Sequence, residues 1–257
     1  MTATSWDPDL YRAFDDHRSR PFADLLARVG ELDPALTRVV DAGCGPGHLT
    51  GLLARRWPAA TVQAFDSSPE MVEAARRAGV DAGLVDVRDW APPRDTGLVV
   101  TNAVLQWVPE HAGILRSWAT ALAPGAWLAM QVPGNFDAPS HALTREVAAR
   151  PHWRDRFELR GSGTVLDPLG YAELLAVAGA EVDAWETTYL QRLDGADPVL
   201  HWLSGTALRP IRDALDDTAY AAFVDELAPE LRAAYPRAAD GGTWFPFRRV
   251  FVVARIR

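Results

Sequence analysis

Lysine is absent from all 257 residues, so each of the 26 basic side chains is an arginine. Schiff-base and lysine-base chemistry are thereby excluded, while planar guanidinium forks suited to carboxylates are plentiful. Cysteine occurs once, as Cys44. A lone thiol makes neither an internal disulfide nor a cysteine-based zinc site, which points to a reducing cytoplasm, and no metal site is expected. No apolar run approaches the roughly 18 residues that cross a bilayer, and no charged region followed by an apolar stretch opens the chain. Secretion and membrane insertion are therefore not expected. Positive charge is in deficit as well: the formal net charge is −8 and the pI is near 5.2. Such a field repels a phosphate backbone, so nucleic acid is not expected as a partner. What is present, 48% hydrophobic and 23% charged residues, is ordinary for a globular protein. A chain of this length buries roughly three quarters of its unfolded surface, which favours one large core with a smaller appendage.

The order of elements predicts an α/β fold. Arg38 to Gly43 is a short β-branched run ending in glycine and reads as a buried strand. A helix is expected over His48 to Arg56, a strand over Thr61 to Asp66, and a helix from Ser67-Ser-Pro-Glu70 to about Ala78. There a serine cap, a first-turn proline, and Ser67 and Glu70 in capping-box spacing mark the start. Strands over Gly83 to Asp86, Gly97 to Asn102 and Ala126 to Val132 follow, with a helix over Glu110 to Ala123 before the last of them. Strand and helix alternate with short connections, so a parallel sheet covered by helices on both faces is expected. Residues 134–167 lose their period and residues 190–243 turn mostly helical, around Val199 to Leu215 and Ala219 to Tyr235. These two stretches are read as cap insertions. The predicted helix at Pro168 to Ala178 and strand at Val182 to Tyr189 (within 168–189), and the final strand at Trp244 to Ile256 (within 244–257), complete the core that begins at residues 31–133. Residues 1–30 are assigned to a lid segment.

Asp41-Ala-Gly-Cys-Gly-Pro-Gly47 lies where the first strand turns into the first helix, the place at which doubly wound sheets bind nucleotide-like ligands. Its spacing is G-x-G-x-G with an acid two positions before the first glycine, unlike the dinucleotide fingerprint. An acid there opposes a pyrophosphate and suits a ligand carrying an ammonium and a sulfonium. A simple packing turn is the other reading of such a loop. Asp66 ends the second strand, where a carboxylate can accept both hydroxyls of a ribose or serve only as a helix-cap acid. Asp86 with Val87 ends the third strand, placed for an adenine amino group and ring face. Asn102 ends the fourth, followed by Ala-Val-Leu-Gln-Trp107.

The arrangement resembles the class I S-adenosylmethionine-dependent methyltransferases, which implies a Rossmann-like seven-stranded sheet with a reversed last strand. By that resemblance Asp41, Gly43, Gly45 and Gly47 hold the methionine part of S-adenosylmethionine, Asp66 the ribose, and Asp86 lies near adenine. Ser67, Met71, Val87, Asn102 and Trp107 are counted with the same cofactor site. Asn102 is not followed by Pro-Pro-Tyr, which argues for an oxygen acceptor. A closer resemblance, to the trans-aconitate methyltransferase family, runs along nearly the whole chain. It is carried by Trp6-Asp-Pro with Tyr11, Phe14 and Arg18-Ser-Arg-Pro21, by Asn102 to His111, by Gln131-Val-Pro-Gly-Asn135 and by Pro139-Ser-His141. Trp185-Glu-Thr-Thr-Tyr189, Gly205-Thr-Ala-Leu-Arg-Pro210 and Phe245-Pro-Phe-Arg-Arg249 continue it. It implies esterification of a small-molecule tricarboxylate. Ala42, where leucine is commoner, and His48, where serine or asparagine is frequent, depart from the pattern.

A tricarboxylate brings up to three negative charges, and only arginines in this chain can pair them bidentately. Arg18, Arg20, Arg209, Arg248 and Arg249 lie in aromatic-rich segments assigned to the cap, beside Trp107, Tyr189 and Trp244; as single residues, surface ion pairs are the alternative. Arg18, Trp107, His141, Tyr189, Arg209 and Arg248 are the expected acceptor-binding set. His111 and His141 are open to a second reading as capping or packing histidines. No general base is expected, because a carboxylic acid with an ordinary pKa near 4 is already ionised at neutral pH. The alternatives are a methyltransferase for another small acid or a hydroxyl, and a non-catalytic S-adenosylmethionine-binding module.

Overall fold

Val39 and Val40, β-branched and wholly buried, make β1 (Arg38–Ala42) the centre of the sheet, with β2 (Thr61–Asp66) parallel on one side and β4 (Thr96–Asn102) parallel on the other. In the computed structural model, which describes residues 15–159 and 165–257, the seven strands run in the order β3-β2-β1-β4-β5-β7-β6. β3 is Ala82–Leu84, β5 Trp127–Pro133, β6 Ala180–Leu193 and β7 Thr243–Ile256. β5 is parallel to β4, whereas β7 is antiparallel to β5, with Pro133 opposite Arg249 and Trp127 opposite Arg255. A seven-stranded sheet with a reversed last strand is what the family resemblance implied.

The described residues divide into two units. One takes 15–133, 165–187 and 249–257; the other takes 134–159 and 188–248. The first holds most of the sheet with α1 (Asp15–Leu26), α2 (Thr50–Arg56), α3 (Pro69–Arg77), α4 (His111–Ala121) and α6 (Pro168–Val177). One face of its sheet presents Val40, Ala42, Phe65, Leu128, Met130, Val132, Val250 and Val252, which pack with Leu115, Trp118, Tyr171 and Leu175 into a single apolar core. Burial of these side chains, about 1.5–3 kcal/mol apiece, is what holds α4 and α6 on that face. The second unit gathers α5 (Pro139–Ala148), α7 (Pro198–Ser204), α8 (Arg209–Ala214) and α9 (Asp217–Ala234). Trp202, Phe245, Phe247 and Tyr235 form its aromatic centre, and the Tyr235 hydroxyl accepts from the main chain of Ser140 at 3.0 Å.

Several boundaries differ from expectation. The first helix of the sheet begins at Thr50 rather than His48. Ser68, not Ser67, caps α3: its extended backbone lets Oγ accept from the Met71 N–H at 3.2 Å, and the same hydroxyl donates to Glu70. The stretch 134–167 contains α5, whose buried side is Ser140, Thr144 and Val147 and so carries no apolar stripe. The expected single helix over Val199 to Leu215 is two, broken at Gly205 with Pro210 opening the second. β6 runs on to Leu193, because Tyr189, Gln191 and Leu193 continue the buried alternation past Tyr189. Arg249, assigned from sequence to the cap, belongs instead to the unit that holds most of the sheet. Residues 1–14 of the expected lid lie outside the described residues, as does the side chain of Arg18. No helix among the described residues is long and apolar enough to cross a membrane.

His111, one of the two histidines considered for the acceptor, is a packing latch. Its Nδ1 donates to the Val108 carbonyl at 2.9 Å, so Nε2 is the acceptor for the Tyr171 hydroxyl at 3.0 Å, and the ring is buried. Burial holds the imidazole below its ordinary pKa and pushes the Tyr171 phenol up to about 12. Tyr171→Phe strands the buried Nε2 and should destabilise the protein by about 1–3 kcal/mol. Urea unfolding should show a lower midpoint at an unchanged slope.

Candidate functional site

At the carboxyl end of β1 the chain turns sharply through Gly43, Gly45 and Gly47, with φ of +83°, +56° and +78°. Gly43 is fixed by space as well as by conformation: a β-carbon there would lie 2.3 Å from Val104 Cγ2. Gly45 is the opposite case, since a β-carbon on it would meet nothing within 4 Å. Its turn therefore faces open space beside the main chain, where a ligand can approach the backbone closely. The Gly43 and Cys44 N–H groups both donate to the Phe65 carbonyl at 2.9 Å, tying the loop to β2.

Beneath this loop Asp41 is only 3% exposed, and its Oδ2 accepts from the Thr50 hydroxyl at 2.6 Å. Burial raises its pKa from 3.8 to about 6, against the opposing effect of the Thr50 hydrogen bond and with a smaller contribution from the Asp66 charge. A buried acid held so close to neutrality favours a cation beside it. Asp66 closes β2 with Oδ2 accepting from Gly45 N–H and Oδ1 from Ser68 N–H, each at 2.9 Å. These bonds leave lone pairs on both oxygens for two hydroxyl donors. Its pKa is raised by burial, partly offset by the main-chain bonds. Ser67 is exposed at the turn, while Met71 is buried in the first turn of α3.

Asp86 departs from its expected place. β3 ends at Leu84, and the Asp86 carboxylate is clasped by Arg88, Nε to Oδ1 at 2.9 Å and Nη2 to Oδ2 at 2.6 Å. That fork holds its pKa below the ordinary carboxylate range and orients the acid for a structural pair. Val87 is buried, beside the Phe65, Trp90 and Trp118 aromatic group. Asn102 ends β4 as expected, with a buried Oδ1 that has no hydrogen-bond partner. Trp107 closes a short 3-10 turn, Leu105–Trp107, and is half-buried.

Register places these groups on one side of the sheet. Asp41 pairs with Ala64 and Val100, and Asn102 pairs with Gln131, so by pleat alternation Asp41, Asp66, Asn102 and Gln131 all project from the same face. Arg249 joins them through Pro133, two residues on from Gln131, and its Nη1 donates to Gln131 Oε1 at 2.9 Å. Gln131 was not among the expected site residues. Its signal is a wholly buried polar side chain in an otherwise apolar strand, Trp-Leu-Ala-Met-Gln-Val.

Of the remaining expected residues, Arg18 belongs to the first unit, and His141, Tyr189, Arg209 and Arg248 to the second. Tyr189 is buried on β6, and Arg209 opens α8, half-buried. Arg248 Nε donates to the Gly134 carbonyl at 2.8 Å, and its N–H to Asn135 Oδ1 at 2.7 Å, fixing the turn after β5. His141 sits within 3.2 Å of the Ser140 hydroxyl and edge-on to Phe136; burial, helped by the charge of Arg145, pushes it down to about 4. It is therefore neutral at physiological pH.

Comparison with known proteins identifies the family and the fold. A family model described as a methyltransferase domain matches residues 14–184. The chain is 60% identical over 255 residues, 98% of its length and all of the relative's, to a protein of Rhodococcus jostii strain RHA1 named trans-aconitate 2-methyltransferase. A protein of the same name from Mycobacterium tuberculosis strain H37Ra is 54% identical, covering 98% of this chain and 97% of the relative. Among solved structures, the YcgJ protein of Bacillus subtilis superposes with a TM-score of 0.56 at 15% identity, covering 94% of this chain and 99% of that one. A geranyl diphosphate C-methyltransferase of Streptomyces coelicolor A3(2) gives 0.51 at 16% identity, covering 96% and 82%. These two share the fold. On the family model and the near full-length identity, the chain belongs to the methyltransferase domain family and, within it, to the family of the bacterial trans-aconitate 2-methyltransferases.

Proposed function

We infer that the protein transfers the methyl group of S-adenosylmethionine to one carboxylate of trans-aconitate, leaving a monomethyl ester. Identity of 54–60% over almost the whole chain to relatives bearing that name carries the reading. The residues at the carboxyl edge fit the donor. Asp41, buried and short of positive charge, suits its ammonium; Gly45 leaves room for its main-chain approach; Asp66 has lone pairs for the ribose hydroxyls; and Val87 offers an apolar face to the adenine. Asp86, engaged by Arg88, is a weaker candidate for the adenine amino group than the sequence suggested. Ser67, Met71, Asn102 and Trp107 complete the proposed donor set. When bound, the donor supplies a methyl carbon already activated by its sulfonium.

For the acceptor, the proposed set is Arg18, Trp107, His141, Tyr189, Arg209 and Arg248. The chain's task is alignment: guanidinium forks hold carboxylates in place while one carboxylate oxygen stays free to attack in line. No side chain needs to take a proton, since the attacking group is ionised throughout the neutral range. The histidines fit that role, His111 with both ring nitrogens engaged and His141 neutral.

The ligand-free protein should carry a cost for Asp41. The folded carboxyl keeps its proton up to about pH 6 while the unfolded one loses it near 3.8, so stability falls as pH rises between those values. Above pH 6 the loss is fully developed, about 3 kcal/mol. Asp41→Asn should therefore be more stable than wild type at pH 7, with the difference vanishing toward pH 4, and should bind S-adenosylmethionine at least about tenfold more weakly. Equal stability of the two proteins at pH 7 would show that the buried carboxylate carries no such cost.

The direct test of function is incubation with methyl-labelled donor and a panel of di- and tricarboxylates. Trans-aconitate should give the monomethyl ester, with a single-turnover rate flat from about pH 6.5 to 9. Turnover of a hydroxyl compound in its place, or a rate limb near pH 7, would assign another acceptor.

A further inference from the structure

We propose that Arg88 is a positioning residue that makes Asp86 a reader of the donor's purine amino group; this rests on the S-adenosylmethionine reading above. An ionised carboxylate offers about four lone-pair directions and no hydrogen to donate. Arg88 alone takes all but one of them. Oδ1 of Asp86 accepts from the Arg88 main-chain N–H and from Arg88 Nε, each at 2.9 Å, and Oδ2 accepts from Nη2 at 2.6 Å. The fork therefore narrows Asp86 without closing it. A single direction on Oδ2 stays open, on a side chain that is 25% exposed and so within reach of a ligand.

The place of that acceptor atom fits a purine. Leu84, two residues earlier, pairs with Asp66, and the Val85 N–H donates to the Asp66 carbonyl at 3.0 Å, so Asp86 follows directly beside the acid proposed for the ribose. Between Asp86 and Arg88, Val87 is buried with Phe65 and Trp90, and the Asp89 N–H closes the turn onto the Asp86 carbonyl at 3.0 Å; together these pin the backbone that carries both side chains. The guanidinium is steadied from its far side too, with Nη1 4.0 Å from Glu110 Oε1. Asp66 and Asp86 sense one another: burial is the chief cause that raises the Asp66 pKa, and the Asp86 charge adds to it. The Arg88 hydrogen bonds keep Asp86 ionised beside that neighbour. As a stabiliser a half-exposed ion pair does little, so what Arg88 contributes is direction. An acceptor-only group held in one orientation accepts from a 6-amino purine and repels the oxygen of a 6-oxo purine.

The test is calorimetry with S-adenosylhomocysteine and its deaminated analogue S-inosylhomocysteine, in which a 6-oxo group and an N1 proton replace the 6-amino group. Wild type should bind the adenosyl compound at least about thirtyfold more tightly. Arg88→Ala lets the Asp86 carboxylate turn away and should cut that preference at least about fivefold. Arg88→Lys keeps the charge but loses the fork, and should cut it at least about threefold. Asp86→Asn, whose amide can donate to the 6-oxo oxygen, should bring the two affinities within about threefold of each other. Equal affinity of wild type for the two nucleosides overturns the assignment, and so does a wild-type preference retained in Arg88→Ala. Loss of both affinities by the same factor in Arg88→Ala also overturns it, because the side chain then serves only the fold. In each of these cases wild type still binds S-adenosylhomocysteine and the donor reading stands. A wild-type protein with no affinity for S-adenosylhomocysteine overturns the donor reading, and this assignment with it.

Discussion

A carboxylate deprived of water lies under the glycine loop, and the surrounding structure is arranged around it. Asp41 keeps one strong partner, the Thr50 hydroxyl, which α2 delivers from its first turn. The loop above cannot carry a side chain where Gly43 passes Val104, and the Gly43 and Cys44 N–H groups are turned toward Phe65 on the neighbouring strand. The outcome is an acid whose pKa burial pushes up to about 6, and which a neighbouring cation would hold in its charged form. On the proposed function, the stability given up at this point goes into a site poised before the donor arrives.

The reversed β7 supplies what a purely parallel sheet lacks. Parallel strands all end at the same edge, so each delivers its last residues there; an antiparallel strand reaches that edge in mid-course. β7 does so at Arg249, opposite Pro133, with its next inward residue on the same face, Phe251, opposite Gln131. Acids at the ends of β1 and β2 and a buried guanidinium on β7 thus share one face of one sheet. His111, at the start of α4, has both ring nitrogens engaged, by the Val108 carbonyl and the Tyr171 hydroxyl.

Much of this was legible in the sequence because short β-branched runs ending at Asp, Asn or Gly mark strand ends without reference to tertiary structure. The glycine spacing with Asp41 and Asp66 therefore marked the turn after β1 and the end of β2 where the structure has them. What failed to show were features decided by partners distant or merely adjacent in sequence. α5 buries Ser140, Thr144 and Val147, a face no apolar period reveals, and its Ser140 is recognised by Tyr235, 95 residues away. Ser67 and Ser68 are indistinguishable as letters; it is Ser68 whose extended backbone turns a hydroxyl onto Met71. Asp86 looked like a strand-end ligand, but Arg88 two residues on takes its carboxylate. Arg248 and Arg249 are neighbours that alternation separates: one side chain supports the Gly134 turn and the next is buried against Gln131.

The account turns on the charge of Asp41, and its carboxyl carbon reports that charge directly. Titrating protein with carbon-13-labelled aspartate by NMR, with Asp41→Asn to identify the resonance, should give a midpoint near pH 6 in the free protein. Saturation with S-adenosylhomocysteine, whose ammonium would stand beside the carboxylate, should move that midpoint down by at least one unit. A midpoint near 4 in the free protein, unmoved by the nucleoside, would contradict both the buried charge and the place assigned to the donor.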